Sequence, residues 1–164
     1  MWSSLFGRDK DDGAPPSAPA APRGSFAEEM SAALRDVSWT ARRAGNRLPV
    51  AALPRLGLIE DLLGPLLAHL HTSPPSVDEE IAVRGIVGDY LPTTINAYLS
   101  MNTQFAHLAR ADGRTPGDDL LDQLATLQQA ATELAQAVYA HDGQELQVQG
   151  RFLQSKFNRS DLDL

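Results

Sequence analysis

Asp89-Tyr90-Leu91-Pro92-Thr93-Thr94-Ile95-Asn96-Ala97-Tyr98-Leu99 is the stretch whose reading decides the fold. Apolar residues recur at helical spacing on both sides of it: Ile81, Ile86, Val87, Tyr90 and Leu91 before the proline, then Ile95, Tyr98, Leu99 and Phe105. Pro92 interrupts that run. A proline inside a helix has no N–H to donate, and its ring crowds the carbonyl four residues earlier. That earlier residue is Gly88, with Gly85 one turn before it. Two small residues leave room for a bend or for a close neighbouring helix. The pattern predicts one long helix kinked near Pro92, or two helices meeting there, at the centre of an all-α domain.

A capping box, Ser76-Val77-Asp78-Glu79, launches this helix, which is expected to run through Leu108 and stop at Asp112-Gly113. Thr115-Pro116-Gly117-Asp118 then gives the clearest helix start in the chain: a threonine cap, proline at the first position and acids in the first turn. Behind it Leu120, Leu124, Leu127, Ala131, Leu134 and Val138 form a heptad seam of bundle length. Asp142-Gly143 reads as a turn, followed by a last helix presenting Leu146, Phe152, Leu153 and Phe157.

Upstream, residues 56–70 are apolar on most sides (Leu58, Ile59, Leu62, Leu63, Leu66, Leu67), as in a central bundle helix. Glu60 and Asp61 mark its wet side, and Pro65 is expected to bend or break it. Before it, a second capping box, Ser25-Phe26-Ala27-Glu28, opens a helix with Phe26, Met30, Ala33, Val37 and Ala44 on one face. Gly45 and Asn46 end it, with Arg42, Arg43 and Arg47 where positive charge complements the helix dipole. The expected architecture is a single bundle of four to six helices over residues 25–164.

Residues 11–24 are rich in proline, alanine and glycine and cannot bury a core, so residues 1–24 read as a disordered N-terminal arm. Its tip is distinctive. Trp2, Leu5 and Phe6 share one face of a helical turn, with Arg8 and Lys10 immediately after. Such a segment docks at a membrane surface or in a partner groove.

Composition narrows the function. The 164 residues are 43% hydrophobic but only 6% aromatic, so leucine and alanine must fill the core, which suits helix-on-helix packing. A net charge of -7 argues against nucleic acid as a partner, because tracking phosphates requires a basic face. There is no cysteine, hence no disulfide scaffold, thiolate metal site or cysteine nucleophile. No apolar run is long enough to span a bilayer, and residues 1–10 lack the apolar core of a secretory signal. The expected location is the cytoplasm, or peripheral at the inner face of the membrane.

No catalytic constellation stands out. His69 and His71 point to different faces of a helix, and neither His107 nor His141 belongs to a metal-binding spacing. Asp118, Asp119 and Asp122 occupy the start of a helix, where acids favour the dipole. No phosphate loop, dinucleotide fingerprint or nucleophile elbow is present. The expectation is therefore no catalytic residues, no metal and no cofactor. Binding is assigned to Trp2, Leu5, Phe6, Tyr90, Pro92 and Tyr98, although two tyrosines roughly two turns apart also fit core packing with their hydroxyls reaching out.

The stretch from Asp89 to Leu99, with its tyrosine-leucine-proline step and closing tyrosine, resembles the XpaC-like bacterial proteins named for 5-bromo-4-chloroindolyl phosphate hydrolysis. Gly150-Arg151-Phe152-Leu153-Gln154-Ser155-Lys156-Phe157 is similar in style. The resemblance implies a small helical protein associated with toxic-anion-resistance (TelA-like) proteins, one of which becomes the candidate partner. It carries over no catalytic residue. The family name implies phosphate-ester hydrolysis, for which this sequence supplies no nucleophile, metal site or acid/base pair. The reading is thus a non-enzymatic protein that binds another protein, with a phosphate-ester hydrolase (or an accessory to one) and a self-associating structural protein as alternatives.

Overall fold

In the computed structural model the described residues are 25–160, with side chains described to residue 155. Residues 1–24, and with them Trp2, Leu5 and Phe6, lie outside that range, as does the Phe157 side chain. Six α-helices follow in order: α1 Phe26–Ala44, α2 Ala52–His69, α3 Val77–Val83, α4 Leu91–Leu99, the single turn α5 Thr103–Ala106, and α6 Pro116–Ser160. A 3-10 turn, Gly45–Arg47, closes α1, and a π-helical segment, Arg84–Tyr90, joins α3 to α4. The described residues contain no strand.

The caps form as the sequence predicts. Ser25 and Ser76 accept from the backbone N–H groups of Glu28 and Glu79, while each glutamate reaches back to the cap. Thr115 does the same with Asp118: its hydroxyl accepts from the Asp118 N–H at 3.2 Å, and its own N–H donates to the carboxylate at 2.8 Å. Gly45 ends α1 at φ 55, a left-handed value that a side chain would strain.

Contacts at the helix ends set the topology. The start of α1 meets the end of α2, where Ser25 Oγ lies 3.4 Å from His71 Nδ1. The end of α1 meets the end of α4 through Arg47, which donates to the Leu99 carbonyl. Gly117, at the start of α6, is buried beside Pro49 and the Tyr98 hydroxyl, and a Cβ there would come within 3.2 Å of the proline ring. Four long elements (α1, α2, the α3–π–α4 run and α6) therefore alternate up and down, as in a four-helix bundle with short connections. α2 lies between α1 and α6 and packs chiefly against them.

The core is aliphatic. Leu56, Ile59, Leu63, Leu66 and Leu67 of α2 are fully buried, as are Val83, Val87, Leu91 and Ile95 of the Pro92 run. All six seam residues of α6, Leu120, Leu124, Leu127, Ala131, Leu134 and Val138, are buried. Alanine and leucine do fill the interior: Tyr98 is the one aromatic residue buried among those described.

Several expectations need correction. α1 buries Met30 and Val37 as expected, with Ala27, Leu34, Ser38 and Ala41 beside them, while the expected Phe26, Ala33 and Ala44 pack half-buried at the edge of the core. Phe26 is left half-buried under the Arg84 guanidinium, 5.2 Å from the ring centroid. Pro65 does not break α2, which is helical from Ala52 to His69 with the proline inside it. Glu60 is not on a wet side: it receives Arg42 at 2.6 Å and the buried Ser38 hydroxyl, tying α2 to α1. The Pro92 helix stops at Leu99 rather than Leu108. Asn102 starts a new turn there by capping Gln104, and Phe105 and Leu108 are exposed.

Asp142-Gly143 is not a turn. α6 runs through it for 45 residues, ~67 Å, at ~1.5 Å per residue. Asp142 is held from outside, with Oδ2 2.5 Å from His69 Nε2 and Oδ1 3.4 Å from Ser73 Oγ. A single helical glycine costs only ~1 kcal/mol relative to alanine, too little to end a helix flanked by good helix formers. From residue 143 to residue 155 nearly every position is exposed, so this part of α6 projects beyond the bundle.

Replacing Leu124 by Ala should lower the unfolding free energy by ~2–5 kcal/mol in chemical denaturation, because the side chain is fully buried mid-seam. Replacing Gly143 by Ala should raise it by ~0.4–1 kcal/mol, since a Cβ there meets open space and the residue is already helical.

Candidate functional site

Pro92 shapes the surface beside it. With no N–H at residue 92, the preceding turn widens, and the Leu91 N–H bonds the Ile86 carbonyl five residues back instead of four. Val87 and Leu91 remain fully buried, while Tyr90 is turned outward and is 64% exposed. Its ring lies over Gly85, where a Cβ would sit 3.4 Å from the ring edge. Gly88 plays no comparable role: a Cβ there would meet only the Arg84 stem, at 3.7 Å. Gly85 thus makes room for a side chain, and no neighbouring helix closes on either glycine.

An open groove follows the α3–π–α4 run where it faces α6. One lobe, about 780 Å³, is lined by Ile81, Ala82, Gly85, Ile86 and Tyr90 on one side and by Ala130, Leu134 and Ala137 on the other. The second lobe, about 560 Å³, continues past Ile86, Tyr90 and Ala130 to Thr94, Thr126 and Leu127. The shared residues join the lobes into one trough with an apolar floor. Its rim is acidic: Asp78, Glu79, Asp89 and Glu133 border the first lobe and Asp122 the second. Arg84 is the one basic residue lining it, and it is already bridged to Glu29 at 3.1 Å and Glu80 at 3.3 Å. Asp78, Asp89 and Glu133 make no ion pair among the described residues.

Of the residues assigned to binding, the structure brings Tyr90 into this trough and leaves Pro92 half-buried behind it. Tyr98 packs in the core instead of in the trough. It is 5% exposed, and burial pushes its phenol above the usual value. Eight helical residues amount to ~800°, about 80° past two full turns, so Tyr90 and Tyr98 do not share a face. A cleft of about 130 Å³ lies against Tyr98, below the few hundred Å³ of ordinary ligand pockets.

The polar groups form structural pairs. Arg110 lies 2.6 Å from Asp119, and Arg114 bridges Asp119 and Asp122, closing the loop before α6 onto its first turns. These arginines explain the carboxylate cluster that helix-dipole reasoning alone assigned to the helix start. Hydrogen bonds from Thr115 hold the Asp118 carboxyl below its usual range, and the Arg110 guanidinium does the same for Asp119. His141 lies 3.6 Å from Glu79 and 3.7 Å from Glu145, midway along α6, whereas His107 precedes that helix. Among the described residues no three histidines or carboxylates are placed to share a metal ion. No described helix is long and apolar enough to cross a membrane.

A second apolar surface lies on the projecting part of α6. Leu146, Val148, Phe152 and Leu153 are all exposed, and Val148 and Phe152 extend the line of the buried seam. Sequence periodicity identified this segment as helical but not as an extension of the seam. The trough itself was legible only as the Pro92 interruption. Its acidic rim draws on residues more than fifty positions apart. The chain matches no protein-family model, and neither curated proteins nor solved structures provide a match.

The lowered carboxyl pKa of Asp119 gives stability that is present above the ordinary aspartate value near ~3.9 and lost as pH falls through the folded value. Asp119→Asn should therefore flatten the acid limb of a stability-versus-pH curve below about pH 4, relative to the wild type. An unchanged acid limb would mean that the pair with Arg110 contributes nothing.

Proposed function

We propose that this is a non-enzymatic helical-bundle protein that works by binding another protein, through an amphipathic helix laid in the trough beside Tyr90. The trough carries this reading: it is long, open and apolar along its floor, with an exposed tyrosine at its centre. Helix-in-groove recognition uses such a surface, with anchors spaced along one face of the incoming helix. Its acidic rim favours a partner helix with basic flanks. The XpaC-like resemblance supports a toxic-anion-resistance (TelA-like) protein as that partner. The Trp2, Leu5 and Phe6 tip, with Arg8 and Lys10, supports attachment of the complex at an anionic membrane surface.

Self-association is the second reading, and the exposed Leu146, Val148, Phe152 and Leu153 of α6 favour it. Hydrolysis of phosphate esters has less support. It needs positive charge and an oriented nucleophile at the phosphate, whereas Arg110, Arg114 and Arg84 are all bridged to carboxylates.

Affinity capture from the native host with the wild type and with Tyr90→Ser tests the partner site. The expected outcome is a partner retained by the wild type and lost with Tyr90→Ser, while the variant keeps wild-type thermal stability. A partner that binds both equally would remove the trough from the account. In parallel, the purified protein should not hydrolyse an indolyl phosphate with or without added divalent metal. Turnover that tracks the protein through purification, and falls in His107→Ala or Asp118→Ala, would establish the hydrolase reading instead.

A further inference from the structure

We infer that in the free protein the occupant of the trough beside Tyr90 is this chain's own residues 1–10. The inference rests on the reading of the trough as the binding site and names its resident occupant. Three observations converge on it.

The first is chemical fit. The trough offers an apolar floor of Ile81, Ile86, Tyr90 and Ala130 under an acidic rim. Residues 1–10 supply Trp2, Leu5 and Phe6 at the i, i+3, i+4 spacing of one helical face, then Arg8 and Lys10. Apolar side chains would meet the floor while the two cations meet Asp78, Asp89 and Glu133. None of those carboxylates has an ion-pair partner among the described residues. The sole arginine of the rim is engaged by Glu29 and Glu80.

The second is the point of attachment. α1 begins at Phe26, whose ring packs under Arg84 at 5.2 Å, and Arg84 itself lines the trough. The chain leading back from Ser25 to the tip therefore starts beside the trough's rim.

The third is reach. Residues 11–24 number fourteen (24 − 11 + 1), which span up to ~46–50 Å at ~3.3–3.6 Å per residue. That is ample for a segment anchored at the rim. A tether of such length sets an effective concentration on the order of millimolar, enough to hold a weakly binding segment. Other occupants fit less well. A second copy brings a net charge of -7 to an acidic rim, and an anionic membrane would be repelled by it.

Because the chain has no cysteine, a spin label on Ser3→Cys marks the tip of the full-length protein uniquely. In the 15N-labelled protein the expected result is strong loss of amide signal at Gly85, Tyr90, Ala130 and Glu133. The signal should recover when Trp2→Ser and Phe6→Ser are added, and should recover in part with Glu133→Lys. Absence of loss at those amides overturns the proposal. So does loss that appears only between molecules, when spin-labelled 14N protein is mixed with unlabelled 15N protein, since the occupant is then a second copy. Failure of the partner reading would look different: capture of the host partner unaffected by Tyr90→Ser, with the spin-label effect intact.

Discussion

The missing N–H of Pro92 is the constraint from which the rest of this surface follows. An uninterrupted α-helix from Val77 to Leu99 would need residue 92 to donate to the Gly88 carbonyl, and proline cannot. The chain keeps its helical course by widening the turn before the proline, so that Leu91 reaches back to Ile86. This solution keeps Val83, Val87, Leu91 and Ile95 on the buried side across the interruption. The local cost is borne by core packing, while Tyr90 is carried outward over Gly85. Wide turns of this kind are frequent at functional sites.

That packing comes from two helices with different jobs. α2 buries one face along its length between α1 and α6, leaving Leu58 exposed, and its buried leucines anchor the bundle. α6 contributes its seam to the same core over its first half and then leaves it. Asp142 ties the departure point to His69 and Ser73 at the end of α2 and the turn that follows. Polar pairs do the remaining positioning: Glu60 with Arg42 and Ser38 between α1 and α2, and Arg110 and Arg114 on the first turns of α6. The apolar surfaces left uncovered are suited to receiving another helix.

Most of the fold was legible because helices declare themselves locally. Both capping boxes, the Thr115-Pro116 start and all six seam residues could be read from spacing alone, since each depends on neighbours within one or two turns. The misreadings share one cause, which is that distant contacts decide them. Asp142-Gly143 has the composition of a turn, but Asp142 is held by residues about seventy positions away. Glu60 looks solvent-facing until α1 supplies Arg42 and Ser38. Tyr98 shares a sequence motif with Tyr90, yet it sinks into the junction of α4, α6 and Pro49. The site was half-legible: Pro92 pointed to it, but its rim is assembled from α3, the π segment and α6. Trp2, Leu5 and Phe6, to which the sequence reading assigned binding, fall outside the described residues.

The most direct test of this account is a crystal structure of the Pro92→Ala variant. With an N–H restored at residue 92, the account predicts four-residue hydrogen bonds throughout residues 84–92, a rotated Tyr90 and a narrowed trough. A variant that keeps the Leu91 to Ile86 bond and the outward Tyr90 would contradict it, and would assign the wide turn to the packing of Val83, Val87 and Leu91 instead.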